Sequence, residues 1–388
     1  MKKATLLTTI ALTITIAGCR EDETVIPTEY ETISGLASPG TGIAGLYLIN
    51  EGNMGSNKCT IDWLDFENGV YARNFYAERN PEVVKELGDV GNDIALYGSK
   101  LYAVINCSHK VEVMDAHSGK RIGQVDIPNC RYIRFHRGKA YVSSYVGPVL
   151  VDPNAPKGAI YQIDTLSLSI TGQVTVGYQP EEMEIAGDSL YVANSGGYRA
   201  PDYDNTLSVV DLNELRQVRQ IPVGINLHRV RRDAEGKLWV SSRGNHISEP
   251  SRLMVLEKNV RTGDMEVTDT ISVACSNMAI YGDRLYAISA SQDEAGNNGT
   301  NVSYAVIDTK TRTLIADNFI TDGTERRIAV PYGIAVHPAT GDIYLTDAKN
   351  YVSSGTLYCF TPEGNMRWSV RTGDIPSAIC FLPTGSQQ

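Results

Sequence analysis

The chain has 388 residues and carries 35 basic against 45 acidic side chains, a formal net charge of −10. A surface of that sign disfavours nucleic acid and anionic lipid as partners, and no basic run offsets it. Of the 7 cysteines none falls in a CxxC or other metal-ligand spacing, which removes the common thiolate metal sites.

In chain order, Lys2 and Lys3 precede an apolar stretch from Leu6 to Ile16 that ends in Ile16-Ala17-Gly18-Cys19. A charged start, a span too short to cross a bilayer and small residues before the end describe an export signal, residues 1–18. The small pair directly before Cys19 is similar to the lipobox of bacterial lipoproteins. That likeness implies lipidation of Cys19 and attachment to the membrane only through that lipid. Arg20-Glu21-Asp22-Glu23 resembles the acidic tag behind the lipid cysteine in surface-exported lipoproteins of the Bacteroidetes. Residues 19–44 mix Pro, Gly, Ser, Thr and acidic side chains without apolar period, and are expected to act as a tether. No second apolar span follows, so residues 45–388 are expected to form a soluble body on that tether.

Within the body one phrase recurs: a turn, an apolar residue, an aromatic, then alternating apolar residues. The aromatic is Tyr47, Tyr102, Tyr141, Tyr191, Trp239, Tyr286 and Tyr344. The mean spacing, about 50 residues, is close to that of a propeller blade. Each repeat reads as a short strand, a tight turn, the aromatic strand, a loop, a strand ending in Asp, a second tight turn and a fourth strand. The Asp turn recurs at Asp65, Asp115, Asp164, Asp211 and Asp308. The fold class is therefore all-β: a seven-bladed β-propeller with four antiparallel strands per blade. The chain enters on an aromatic strand with no inner strand before it, while Pro376 to Phe381 has the inner-strand pattern. The C-terminal strand is thus expected to close the first blade and remove two open sheet edges. The repeated aromatics are expected to pack blade on blade and not to contact ligand.

Strand parity sorts the connections onto two faces. Turns after first and third strands are short, such as Gly98-Ser99 and Gly282-Asp283. Connections after second strands are long and chemically rich, as in 143–157, 194–205, 241–252 and 347–355. Long loops are kept where they bind something. They carry Asn53, Met54, Tyr145, Tyr198, Arg199, Tyr203, Arg243, His246 and Tyr351. Just before each inner strand stand Asn92-Asp93, Arg131-Tyr132, Glu181-Glu182, His228-Arg229, Ser276-Asn277 and Pro331-Tyr332. Seven blades converge these positions on one axial bowl. The candidate ligand-binding residues are Asn53, Asn92, Arg131, Tyr132, Tyr145, Glu182, Tyr198, His228, Arg229, Arg243, Asn277, Tyr332 and Tyr351. Aromatic area with a few orienting polar groups suits a large, polar-rimmed organic ligand.

Catalytic patterns are sparse. Gly187-Asp188-Ser189-Leu190 spells a lipase and esterase motif, but its slot is a short blade turn in every repeat. Neither HExxH nor GxSxG occurs. No catalytic residue is assigned and the chain is not expected to be an enzyme. One alternative stays open: a lactonase-type hydrolase with calcium held by Asp93, Glu182, Asn194 and Asn277, for which Asp202, Asp204 and Asn205 offer a second cluster. The other is a scaffold for protein or glycan. Six cysteines remain after Cys19, and Cys107 with Cys130 is the expected bridge, both reading as loop residues on one face.

The blade phrases, with the opening Tyr47-Leu48-Ile49-Asn50-Glu51-Gly52-Asn53-Met54-Gly55-Ser56, resemble the YncE-like propeller lipoproteins of gut Bacteroidetes, and among them the BtuG-type. The resemblance covers nearly all of residues 45–383. It implies a lipid-anchored protein exposed at the outer membrane, which captures cobalamin or another corrinoid and passes it to a TonB-dependent outer-membrane transporter. Cobalamin would be a ligand and not a cofactor.

Overall fold

The computed structural model describes residues 27–36, 40–83, 87–245, 247–292 and 300–385. The expected export signal, residues 1–18, with Cys19 and His246, lies outside the described residues.

Seven antiparallel sheets form the molecule, six of four strands and one of five. In the second blade the strands run inside to outside as Gly91–Tyr97, Lys100–Ile105, Lys110–Asp115 and Arg121–Asp126, and the other blades repeat that order. The first blade closes as the strand count requires. Its inner strand is Pro376–Pro383, paired with Ile43–Asn50 so that Tyr47 faces Cys380 and Leu48 faces Ile379. A fifth strand, Glu29–Thr32, adds to the outer edge through Val70–Arg73. Thus part of the segment read as a tether is a strand. The fourth strand there has only 4 residues, leaving an edge that the incoming chain covers. All four added residues are exposed, so no apolar alternation marks them in the sequence.

Each blade interface has its own apolar cluster, and each cluster contains one repeated aromatic. Tyr47 packs with Leu101 and Met114 of the second blade, Trp239 with Leu285 and Ala287 of the sixth, and Tyr344 with Leu46 and Leu48 across the closure. Tyr47 also donates its hydroxyl to the Ala116 carbonyl at 2.8 Å, pinning the first blade to the second. The Asp turns are held alike: Asp115 Oδ1 accepts the backbone N–H of His117 and Ser118, and Asp308 Oδ1 those of Lys310 and Thr311. All six cysteines among the described residues are free. The expected Cys107–Cys130 bridge is absent because the Cys130 thiol points into the core toward the carbonyls of Ile105 and Lys110, at 3.4 and 3.3 Å. Cys130 begins a strand and is not a loop residue.

Candidate functional site

At the top of the inner strands the ladder is interrupted in a regular way. In the third blade Cys130 pairs with Ser144 and Ile133 with Val142, so Arg131 and Tyr132 together oppose Ser143 alone. The same two-against-one bulge places Glu181-Glu182 opposite Ala193, His228-Arg229 opposite Ser241 and Tyr332-Gly333 opposite Thr346. A bulge re-aims side chains that a regular strand would send to alternate faces. Here it turns consecutive residues toward the axis. The opposing hydroxyl fills the broken ladder: Ser143, Ser241 and Thr346 accept the N–H of Tyr132, Arg229 and Gly333 at 3.1, 3.0 and 2.7 Å. Glycine is required at 333, since a Cβ would stand 2.1 Å from the Ser377 carbonyl oxygen. Val90 and Ile375, each just before an inner strand, have φ of 60° and 55°. β-Branched side chains resist that conformation, and strain of this sort gathers around functional sites.

Val90, Arg131, Tyr132, His228, Arg229, Tyr332 and Ile375 among them line a bowl of about 390 Å³ on the long-loop face, within the roughly 300–1,000 Å³ of small-molecule sites. Every blade contributes: Glu51 to Met54 from the first, Asn92 and Cys107 from the second, Arg131, Tyr132 and Val149 from the third, Tyr198 from the fourth, His228, Arg229 and Arg243 from the fifth, Ser276 from the sixth and Tyr332 from the seventh.

The electrostatics have two layers. In the bowl, Glu181 accepts Arg131 on Oε2 at 3.0 Å, and Arg243 and the Tyr145 hydroxyl on Oε1 at 3.2 and 2.6 Å. Burial opposes ionisation of Glu181, but Arg131, Arg243 and Tyr145 outweigh it and hold the carboxyl at about 2. Across the bowl Tyr332 donates its hydroxyl to both oxygens of Glu51 at 3.0 Å. There burial prevails over Arg131, the Tyr332 hydrogen bond and Arg229, and Glu51 rises to about 7. Burial, followed by Arg243, Arg229 and Arg131, keeps His228 neutral, with Nε2 3.1 Å from the Tyr132 hydroxyl. Deeper in the channel Glu182 takes Arg134 at 2.8 Å, Arg231 and the Val230 N–H, and Asp93 takes Arg134 at 3.2 Å.

The family model for a domain of unknown function, DUF5074, matches residues 44–361. The chain belongs to that family. No curated protein matches it. Among solved structures, a hypothetical selenium-binding protein from Sulfolobus tokodaii is 11% identical with TM-score 0.62, over 87% of this chain and 93% of that one. The periplasmic gluconolactonase of Pseudomonas aeruginosa is 12% identical with TM-score 0.59, over 88% and 99%. A quinonprotein alcohol dehydrogenase-like protein from Bacteroides thetaiotaomicron is 12% identical with TM-score 0.54, over 88% and 78%. These likenesses show the propeller fold alone.

In this DUF5074 propeller nine of the sequence candidates line the bowl: Asn53, Asn92, Arg131, Tyr132, Tyr198, His228, Arg229, Arg243 and Tyr332. Four do not. Tyr145 lies behind Arg131, whose guanidinium carbon sits 5.0 Å from its ring centroid. Glu182 is buried below among arginines. Asn277 bridges the sixth and seventh blades by donating to the Tyr332 carbonyl at 3.0 Å. Tyr351 stands at the rim, edge-on to Tyr332 at 5.9 Å. Arg199 and Tyr203 line a separate shallow depression with Asp204. Asp204 itself brackets a turn, accepting the N–H of Thr206 and of Tyr178. Glu51, Cys107 and Ser276 line the bowl without having been chosen as candidates, and Glu181 organises it. A second cavity, about 340 Å³, opens on the opposite face among Trp63, Phe66, His117, His337, Tyr344 and Leu382. It is flanked by Leu36 and Gly40, which border residues outside the described set. Among the described residues, the bowl is lined from all seven blades.

Proposed function

We propose that this protein is a capture module that binds a large organic nutrient on the long-loop face. On the sequence resemblance, that ligand is cobalamin or another corrinoid, handed on to a TonB-dependent transporter by a protein tethered at the outer membrane through Cys19. The observation that carries the binding reading is the convergence of all seven blades on one bowl whose side chains are aromatic, amide and guanidinium. The surrounding loops add exposed apolar side chains: Met54, Val146, Leu150, Val151, Ile247 and Val352. A polar bowl inside an apolar rim suits a guest wider than the bowl, which inserts one polar part and rests its body on the loops.

The donor set does not favour a calcium hydrolase. Asp93 and Glu182 are neutralised by Arg134 and Arg231, and Asn277 Oδ1 already accepts the Met278 N–H at 2.9 Å. A cation would have to displace guanidinium groups. Titrating the purified protein with cobalamin tests the reading. Saturable heat and a shifted corrin absorption at micromolar concentrations are expected. Absence of both removes the named ligand, and chelator-sensitive turnover of a lactone would install the hydrolase instead.

A further inference from the structure

The bowl concentrates fixed positive charge in a chain whose net charge is −10. Arg131, Arg229 and Arg243 all line it. Two of them share Glu181. Arg229 has no equivalent partner. Its nearest carboxylate is Glu182 at 3.7 Å, and Glu182 is already held by Arg134 and Arg231. Its remaining hydrogen bond, Nε to the Ser276 carbonyl, is 3.4 Å long. The side chain is only 15% exposed, and a guanidinium has five N–H donors. Charges so far out of water are ordinarily matched by close counter-charge. Here the match is remote.

The neighbouring residue repeats the pattern. His228 is buried, lines the bowl, and its Nδ1 has no partner. In the tautomer in which the Tyr132 hydroxyl donates to Nε2, Nδ1 carries the ring proton and is a donor without an acceptor. Arg131 and Arg229 both approach the Tyr132 ring, with guanidinium carbons 5.8 and 5.2 Å from its centroid. The under-matched donors therefore crowd one wall.

We infer that this wall is an anion subsite: Arg229, with His228 and Arg243 beside it, takes a carboxylate or phosphate group of the captured molecule. The inference rests on the bowl being the capture site and specifies the chemistry of what enters. Planar guanidinium forks bind both anions through paired charge-assisted hydrogen bonds. The three hydrogen-bonding residues come from one blade, so the subsite is preformed on strand and adjoining loop.

The test is calorimetric titration of the full chain with inorganic phosphate and, separately, with acetate, at ionic strength held constant with sodium chloride. Saturable binding of at least one anion is expected, with Arg229→Met weakening it roughly tenfold or more, the scale of one charged hydrogen-bonded contact. Circular dichroism checks that the variant is folded. Should it not fold, Arg229→Lys keeps the charge, loses the fork, and must still weaken binding several-fold. Failure of both anions to bind beyond matched chloride, or unchanged affinity in the folded variant, overturns the subsite. The outcomes separate from those for capture. Phosphate binding without cobalamin binding leaves the subsite standing and removes the corrinoid, whereas cobalamin binding that neither anion weakens leaves capture standing and removes the subsite.

Discussion

Replacing Glu181 with glutamine should expose how the bowl is held together. The carboxyl is buried, opposes two arginines and sits at about 2 against an ordinary 4.5. At 1.36 kcal/mol per unit, its ionised state contributes roughly 3 kcal/mol to stability at neutral pH. Because the folded value is depressed, that contribution is complete above about pH 4.5 and drains away as pH falls toward 2. Glu181→Gln leaves Arg131 and Arg243 facing a neutral amide, and breaking a buried pair from one side costs about 3–5 kcal/mol. Urea denaturation of both proteins from pH 7 to pH 3 measures the difference. A gap of that size at pH 7 is expected, narrowing by about 2 kcal/mol at pH 3 as the parent loses its ionised carboxylate. A gap below 1 kcal/mol at pH 7, or one that does not change with pH, would refute the reasoning.

Other perturbations follow from the same geometry. Glu51 faces Arg131, Arg229, Glu181, Tyr332 and Tyr351, and titrates near 7. It is neutral below that value and anionic above it, so affinity for acetate, whose own charge is constant there, should fall as pH rises through 7, and Glu51→Gln should flatten the profile in calorimetric titrations. Tyr351→Ala should weaken ligand capture at unchanged thermal stability, since the ring is 40% exposed at the rim. Arg131→Ala should lower both, because Arg131 lies in the strand Cys130–His136 and pairs with Glu181. Tyr47→Phe leaves the Ala116 carbonyl without its donor and should cost about 1 kcal/mol in denaturant unfolding.

Blade architecture was legible because its signals are periodic. The aromatic at Tyr47, Tyr102 and their equivalents occupies one strand slot, and strand parity alone assigns long loops to one face. What parity cannot convey is the bulge, which turns neighbours such as Glu181 and Glu182 both inward but to different depths. The first organises the bowl; the second, which sequence reasoning preferred, lies beneath it. A signal existed in the small residue opposite each bulge, Ser143, Ser241 or Thr346, two positions beyond the repeated aromatic. Glu51 was hidden because it follows a strand and becomes part of the site only through Tyr332, 281 residues away. Cys107 and Cys130 read as partners because face assignment ignores side-chain direction. The strand Glu29–Thr32 was unreadable because it pairs by backbone at an exposed edge.

The ring is shut by a strand that lies far along the chain from the one it pairs with. Ile49 waits for Ser377, 328 positions later, whose hydroxyl also reaches the Gly91 carbonyl of the second blade. Contacts so distant along the chain slow folding and keep a raw edge available to other molecules meanwhile. Six finished blades with an incomplete first would already have most of the mass yet no enclosed axis, so competence to hold a guest should arrive in a single late step.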